Sequence, residues 1–290
     1  MYIKNDYLKL EIQARGGSMT SIYDLKREKE LLYQPLADSW KGQDIFIFPF
    51  IARLIDKTYT YKDKTYQLEN HGLLRYMDAS LTKLSDTSME ASFSSTDETL
   101  TRYPFKFKAS LIYSLDENKI NLAYEIRNES QEDMPFMLGA HPAFKIPGER
   151  NEKEFNMTGN YISFEEDSEK TILLQEETCS YMTGRNALIS SPIKLSKGLF
   201  NMINTIIIDA SNTDKVFLNK KDGSKITVSI NNAPYLALWS DKKYGDYVCI
   251  EPWYGYPDTL GSSKDIIKKP GINILKPGSI FTASYSIEID

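Results

Sequence analysis

The stretch from Phe105 to Arg127, FKFKASLIYSLDENKINLAYEIR, decides how this chain folds. Phe105, Phe107, Ala109, Leu111 and Tyr113 recur at every second position, starting against Lys106 and Lys108. After the polar turn Asp116-Glu117-Asn118, Ile120, Leu122, Tyr124 and Ile126 alternate with Asn121, Ala123, Glu125 and Arg127. A period of two sends successive side chains to opposite faces of a strand. Two such runs joined by a short polar turn predict a β-hairpin with one wet face.

The same pattern extends in both directions. Leu8, Leu10 and Ile12 alternate with Lys9, Glu11 and Gln13, and Lys225–Ile230 follows an Asp222-Gly223 turn. Tyr235–Trp239 and Tyr247–Ile250 are short apolar strand candidates. Behind the turn Lys276-Pro277-Gly278, Phe281, Ala283, Tyr285 and Ile287 alternate once more. Helical signals are confined to Thr99–Tyr103 and Lys264–Lys268, which Pro104 and Pro270 would stop. The polar run from Pro147 to Ser168 reads as an extended surface loop. No linker or repeat divides the chain, so residues 1–290 read as one domain. The expected class is all-β and mostly antiparallel, with too many strands for one open sheet, so that sheets must stack or curl.

Composition narrows the function. Net charge is −5, which lacks the basic footprint of a nucleic-acid binder. Aromatics reach 12%, which suits broad β surfaces or a ligand-lined groove. Two cysteines, Cys179 and Cys249, imply no disulfide framework and favour a reducing compartment. The first six residues, MYIKND, lack the apolar core of a secretion signal, and no run approaches the roughly 20 apolar residues of a membrane span. The expectation is a cytoplasmic protein with no membrane partner. Only two histidines occur, so a three-histidine zinc site is excluded. Neither a Gly-rich dinucleotide fingerprint nor a P-loop appears, so no nucleotide cofactor is called for.

Four segments stand apart from the strand pattern. In Asn70-His71-Gly72-Leu73-Leu74-Arg75, the glycine after His71 permits a close backbone approach. In Leu138-Gly139-Ala140-His141-Pro142, an apolar run delivers His141 to a strand end, with small residues leaving room beside the imidazole. In Val248-Cys249-Ile250-Glu251-Pro252-Trp253-Tyr254, a carboxylate ends an apolar strand, where it needs a partner, and two aromatics follow as a platform for a sugar face. Arg53, inside Phe48–Leu54, needs an acceptor, either a carboxylate or a ligand oxygen. Cys249 lies in an apolar run and reads as core.

In these four segments, and in their order over nearly the whole chain, the sequence resembles the aldose 1-epimerase (galactose mutarotase) family and, within it, the bacterial LacX-like branch. The resemblance implies a β-supersandwich and an isomerase that interconverts sugar anomers by acid–base ring opening. It implies that His141 is the general acid on the ring oxygen and Glu251 the general base on the anomeric hydroxyl. It assigns Arg53, His71 and Trp253 to the sugar. The family's sugar-binding aspartate matches Asn204 or, as a neighbouring alternative, Asp209. The reaction requires no cofactor and no metal. It also implies that His141 holds a proton near neutral pH while Glu251 stays ionised. Three rivals share these residues: a hexose-6-phosphate mutarotase in which Arg75 meets the phosphate, a carbohydrate-binding protein without catalysis, and a metal enzyme built on His71, His141 and Glu251. The expected partner is a small sugar, and the oligomeric state stays open between monomer and homodimer.

Overall fold

The stretch that opens the sequence reading forms its hairpin. Strands Phe107–Asp116 and Lys119–Asn128 pair antiparallel, from Phe107 opposite Asn128 to Asp116 opposite Lys119. Phe107, Ala109, Leu111, Tyr113, Ile120, Leu122, Tyr124 and Ile126 are all buried, as period two demands. The computed structural model describes residues 1–37, 39–150, 155–166, 168–176, 181–241 and 245–290. Cys179 lies outside the described residues, and Cys249 is buried.

Two large antiparallel sheets dominate. One has nine strands, with the hairpin flanked by Ile280–Ile289 on one side and by Ser88–Ser94 on the other. The second has eight strands and carries the segments singled out above. Its central order runs Thr205–Asp209, Tyr235–Trp239, Tyr247–Tyr254, Leu138–Ala140 and Phe46–Ile47, with Ala143–Lys145 also paired to Tyr247–Tyr254. Large rings join the two sheets across the core: Phe46 stands 5.9 Å from Phe93 and 5.0 Å from Tyr124. A four-stranded sheet, Tyr2–Lys4, Leu8–Ile12, Met19–Asp24 and Lys29–Glu30, forms the N-terminal part.

Two expectations are corrected. The segment from Pro147 to Ser168 is no loop. Tyr161–Phe164 is a strand of the nine-stranded sheet, Glu149–Arg150 pairs with Phe155–Asn156, and Phe155, Met157, Ile162 and Phe164 are buried. Its few apolar residues are the ones that face inward, and the polar majority hid them. Helices are slightly richer than expected. Asp97–Arg102 starts two residues earlier, on a Thr96 capping box, and Lys264–Lys268 shrinks to the short 3-10 turn Ile266–Lys268. A helix at Lys197–Ile203 was missed, although Ser196 caps it by accepting from the Leu199 N–H.

Candidate active site

One cleft of about 400 Å³ gathers Arg53, His71, Arg75, His141, Asn204, Glu251 and Trp253, every candidate named from sequence except the alternative Asp209. Asp209 is exposed at the far end of Thr205–Asp209, where it caps the Ser211 N–H. Asn204 takes the position at the cleft. It sits on no strand: it ends the helix Lys197–Ile203 with φ 62°.

Register brings His141 and Glu251 together. Gly139 pairs with Trp253 and Ala143 with Cys249, so His141, at the break between two short strands, falls opposite Glu251. Their Nε2 and Oε2 atoms are 3.4 Å apart. Glu251 is therefore in mid-strand, not at a strand end as the sequence suggested, because Tyr247–Tyr254 runs on through Pro252. Proline is tolerated there because position 252 lacks its N–H on the side of that break. The Ile250 N–H, two residues back, points the same way and reaches the Pro142 oxygen at 3.3 Å. Period two then sends Glu251 and Trp253 into the cleft and Tyr254 to the opposite face, where its ring packs on Phe281. The platform of two adjacent aromatics is thus reduced to Trp253. Gly139 makes room for that indole rather than for the imidazole, since a Cβ there would meet Trp253 Cδ1 at 2.6 Å.

The pair is sealed from water: His141 is 6% and Glu251 1% exposed. Burial, helped by Arg75, pushes the His141 imidazole well below its usual value. Burial also pushes the Glu251 carboxyl well above its own, with the Asp44 charge adding to the rise. The Trp253 N–H opposes that rise without closing a hydrogen bond of good geometry. Both shifts favour the uncharged forms, a neutral imidazole beside a protonated carboxyl. Burial thus works against the expected arrangement of a charged imidazole beside an ionised carboxylate, because each group loses its hydration. His141 Nδ1 and Glu251 Oε2 are buried and make no hydrogen bond among the described residues.

His71 is held differently. Its Nδ1 accepts from the Ala52 N–H at 3.3 Å, so a neutral ring carries its proton on Nε2, as a donor. Burial keeps it neutral, and the neighbouring His141, Arg75 and Arg53 push the same way. His71 and His141 meet edge-on with centroids 5.3 Å apart. The residue after it must be glycine: Gly72 has φ 75°, and a Cβ there would lie 2.3 Å from the Phe48 oxygen. Arg53 is exposed and Arg75 half-buried over the Tyr76 ring, 5.0 Å from its centroid. Neither has an ion-pair partner among the described residues.

Several cleft residues escaped the sequence reading. Trp40 and Trp239 wall in His141, with centroids at 5.0 and 5.7 Å. Asn70 and Gln175 add amides to the rim. Asp44, fully buried, accepts from the backbone N–H groups of Met19, Ile45 and His141, and so pins the loop that carries the imidazole. Trp40 lies in an irregular segment with no periodic signal, and only a buried aspartate beside Ile45-Phe46 hinted at Asp44. Donor atoms of His141, Cys249 and Glu251 lie within 4.8 Å of one another, so the third member of any metal-ligating trio is Cys249 rather than His71. Burial pushes the Cys249 thiol well above its usual value.

Comparison with known proteins agrees with this architecture over the whole chain. The family described as aldose 1-epimerase matches residues 1–288. The chromosomal LacX protein of Lactococcus lactis subsp. lactis is 27% identical over 300 aligned positions, covering 99% of this chain and 98% of that one. A galactose mutarotase related enzyme from Lactobacillus acidophilus superposes with a TM-score of 0.92 at 29% identity, covering 100% and 97% of the two chains. A galactose mutarotase-like protein from Lactobacillus casei shares the fold with a TM-score of 0.92 at 24% identity, covering 100% and 99%. No helix among the described residues is long and apolar enough to cross a membrane.

Proposed function

Because the chain belongs to the aldose 1-epimerase family, we propose that it interconverts the α and β anomers of an aldohexose in this cleft, with His141 and Glu251 as its proton-exchanging pair. The observation that carries the reading is two buried, oppositely shifted groups 3.4 Å apart, each with an unbonded atom. The cleft volume, about 400 Å³, accommodates a pyranose.

Ring opening needs one proton taken from the anomeric hydroxyl O1 and one given to the ring oxygen O5. The C1–O5 bond breaks and C1=O1 forms. When Glu251 accepts from O1 and His141 donates to O5, the pair ends with a neutral imidazole and a protonated carboxyl. That is the arrangement burial favours in the free cleft. The resting site therefore matches the open-chain sugar, and a cyclic sugar needs the proton moved from Glu251 to His141 first. The 3.4 Å separation permits a direct transfer, and sugar hydroxyls donating to Glu251 would favour it. After rotation about C1–C2, the reverse transfers close the ring on the other face. No redox cofactor or metal enters this scheme, and the whole chain, residues 1–290, serves as one catalytic domain. His71 Nε2–H and the Asn204 amide supply neutral hydrogen bonds to hydroxyls, and Trp40, Trp239 and Trp253 line the rest.

A second reading concerns the substrate. Two guanidiniums with no acid partner among the described residues, in a cleft where Glu251 is the one carboxylate among those residues, favour an anionic sugar, such as a hexose 6-phosphate. Anomer exchange followed by NMR on free and phosphorylated glucose and galactose decides between them. In the same assay, Glu251→Gln and His141→Asn should each slow exchange by about 100-fold or more. Wild-type rates in either variant would refute the pair, and sugar binding without faster exchange would leave a carbohydrate-binding protein.

A further inference from the structure

A second cavity, of about 260 Å³, lies outside the cleft, between the N-terminal sheet, the segment around Lys145 and the turn that follows Lys215–Asn219. Leu31, Ile146 and Ile226 give it an apolar wall. Lys220 lines it with only 8% of its surface exposed. The backbone of Lys220 is fixed: its N–H donates to the Ser224 oxygen, and its carbonyl accepts from the Gly223 N–H. Its ammonium, however, has no hydrogen bond or ion pair among the described residues. An ammonium on so deeply buried a side chain keeps little of its hydration, and without a protein partner that loss is costly.

The surrounding charges do not fill the gap. Arg27 is paired with Asp24, Lys29 with Asp222, and Lys225 with Asp290. Glu30 is occupied by the Ser21 hydroxyl and by the N–H groups of Ile22 and Leu32. Glu28 stands exposed at the rim. Lys145, exposed at the cavity, is the other lining cation that lacks an acid partner among the described residues. Burial lowers Lys220 to about 8. Lys29 and Lys145 push the same way, and only Asp222 opposes them.

We propose that this cavity is a second ligand site, distinct from the cleft, that takes a small anion, a carboxylate or a phosphate monoester, against the ammonium groups of Lys220 and Lys145. The apolar body of the ligand rests on Leu31, Ile146 and Ile226. The anion supplies the charge that Lys220 lacks, so binding favours the protonated amine and weakens as pH rises through about 8.

Isothermal titration of the intact protein with inorganic phosphate and, separately, with butyrate tests this, and the two arms distinguish phosphoryl from carboxylate recognition. Lys220→Met, which keeps the length and removes the charge, should weaken binding at least tenfold. Lys145→Met, at an exposed position that puts the fold at no risk, should weaken it at least threefold. Arg75→Met, in the cleft, should leave the lysine-dependent binding of butyrate unchanged, and affinity should be lower at pH 9 than at pH 7. Absence of saturable binding, binding that survives both lysine substitutions, or binding lost only in Arg75→Met would overturn the proposal.

Discussion

Replacing Glu251 by glutamine should stabilise the fold while it abolishes the chemistry, and the stabilisation should grow with pH. The carboxyl is 1% exposed and its pKa lies well above the ordinary 4.5. A group whose folded pKa is raised contributes its full stability below the unfolded value and loses it as pH rises towards the folded one. Each pH unit in that window costs about 1.4 kcal/mol. The neutral amide of glutamine escapes the cost. Histidines shift the balance only below about pH 6.5, where unfolded imidazoles become charged. Between pH 6.5 and pH 8 the advantage of Glu251→Gln should therefore grow, by about 1.4 kcal/mol for each pH unit still below the folded pKa. For a chain this long each such unit corresponds to roughly 2 °C in Tm. Urea denaturation or calorimetry on both proteins at the two pH values measures it. A difference that stays flat across the interval would mean that the folded protein holds Glu251 ionised, and the resting proton placement argued above would be wrong.

Other expectations follow from the same geometry. The rate of anomer exchange should hold a broad plateau around neutrality, since it needs one proton on the His141–Glu251 pair. It should fall only in acid, where the depressed imidazole takes up a second proton, and in alkali, where the raised carboxyl loses the only one; a pH–rate profile with a limb centred near 6.5 would contradict this. Asp44→Ala frees the His141 backbone N–H and should cut kcat roughly 10–100-fold with little change in KM, and unaltered kcat would show that the loop is held by other contacts. Gly72→Ala forces a Cβ against the Phe48 oxygen and should cost about 2–3 kcal/mol, read as a lower denaturation midpoint. If the cleft takes a phosphorylated sugar, Arg75→Met should raise KM for the phosphate ester at least tenfold and leave the free sugar unaffected, a split visible in paired kinetic runs.

What the sequence determined is whatever local pattern controls. Alternation in Phe105–Arg127 set the hairpin and its buried face before any partner was known, because burial of one face is a property of the strand itself. The segments carrying Arg53, His71, His141 and Glu251 were recognisable because each interrupts that pattern with a polar group in apolar surroundings. The tertiary structure decided the rest. Only the pairing of Leu138–Ala140 and Ala143–Lys145 with Tyr247–Tyr254 puts His141 across from Glu251, and no local signal encodes a register between segments about a hundred residues apart. The same pairing buries both groups, and burial is what moves the proton from the imidazole to the carboxyl. Trp40, Asp44 and Trp239 join the site through long-range packing alone, and so does the unpaired Lys220 in its separate cavity. Charge state follows desolvation, and desolvation exists only once distant strands have closed around a group.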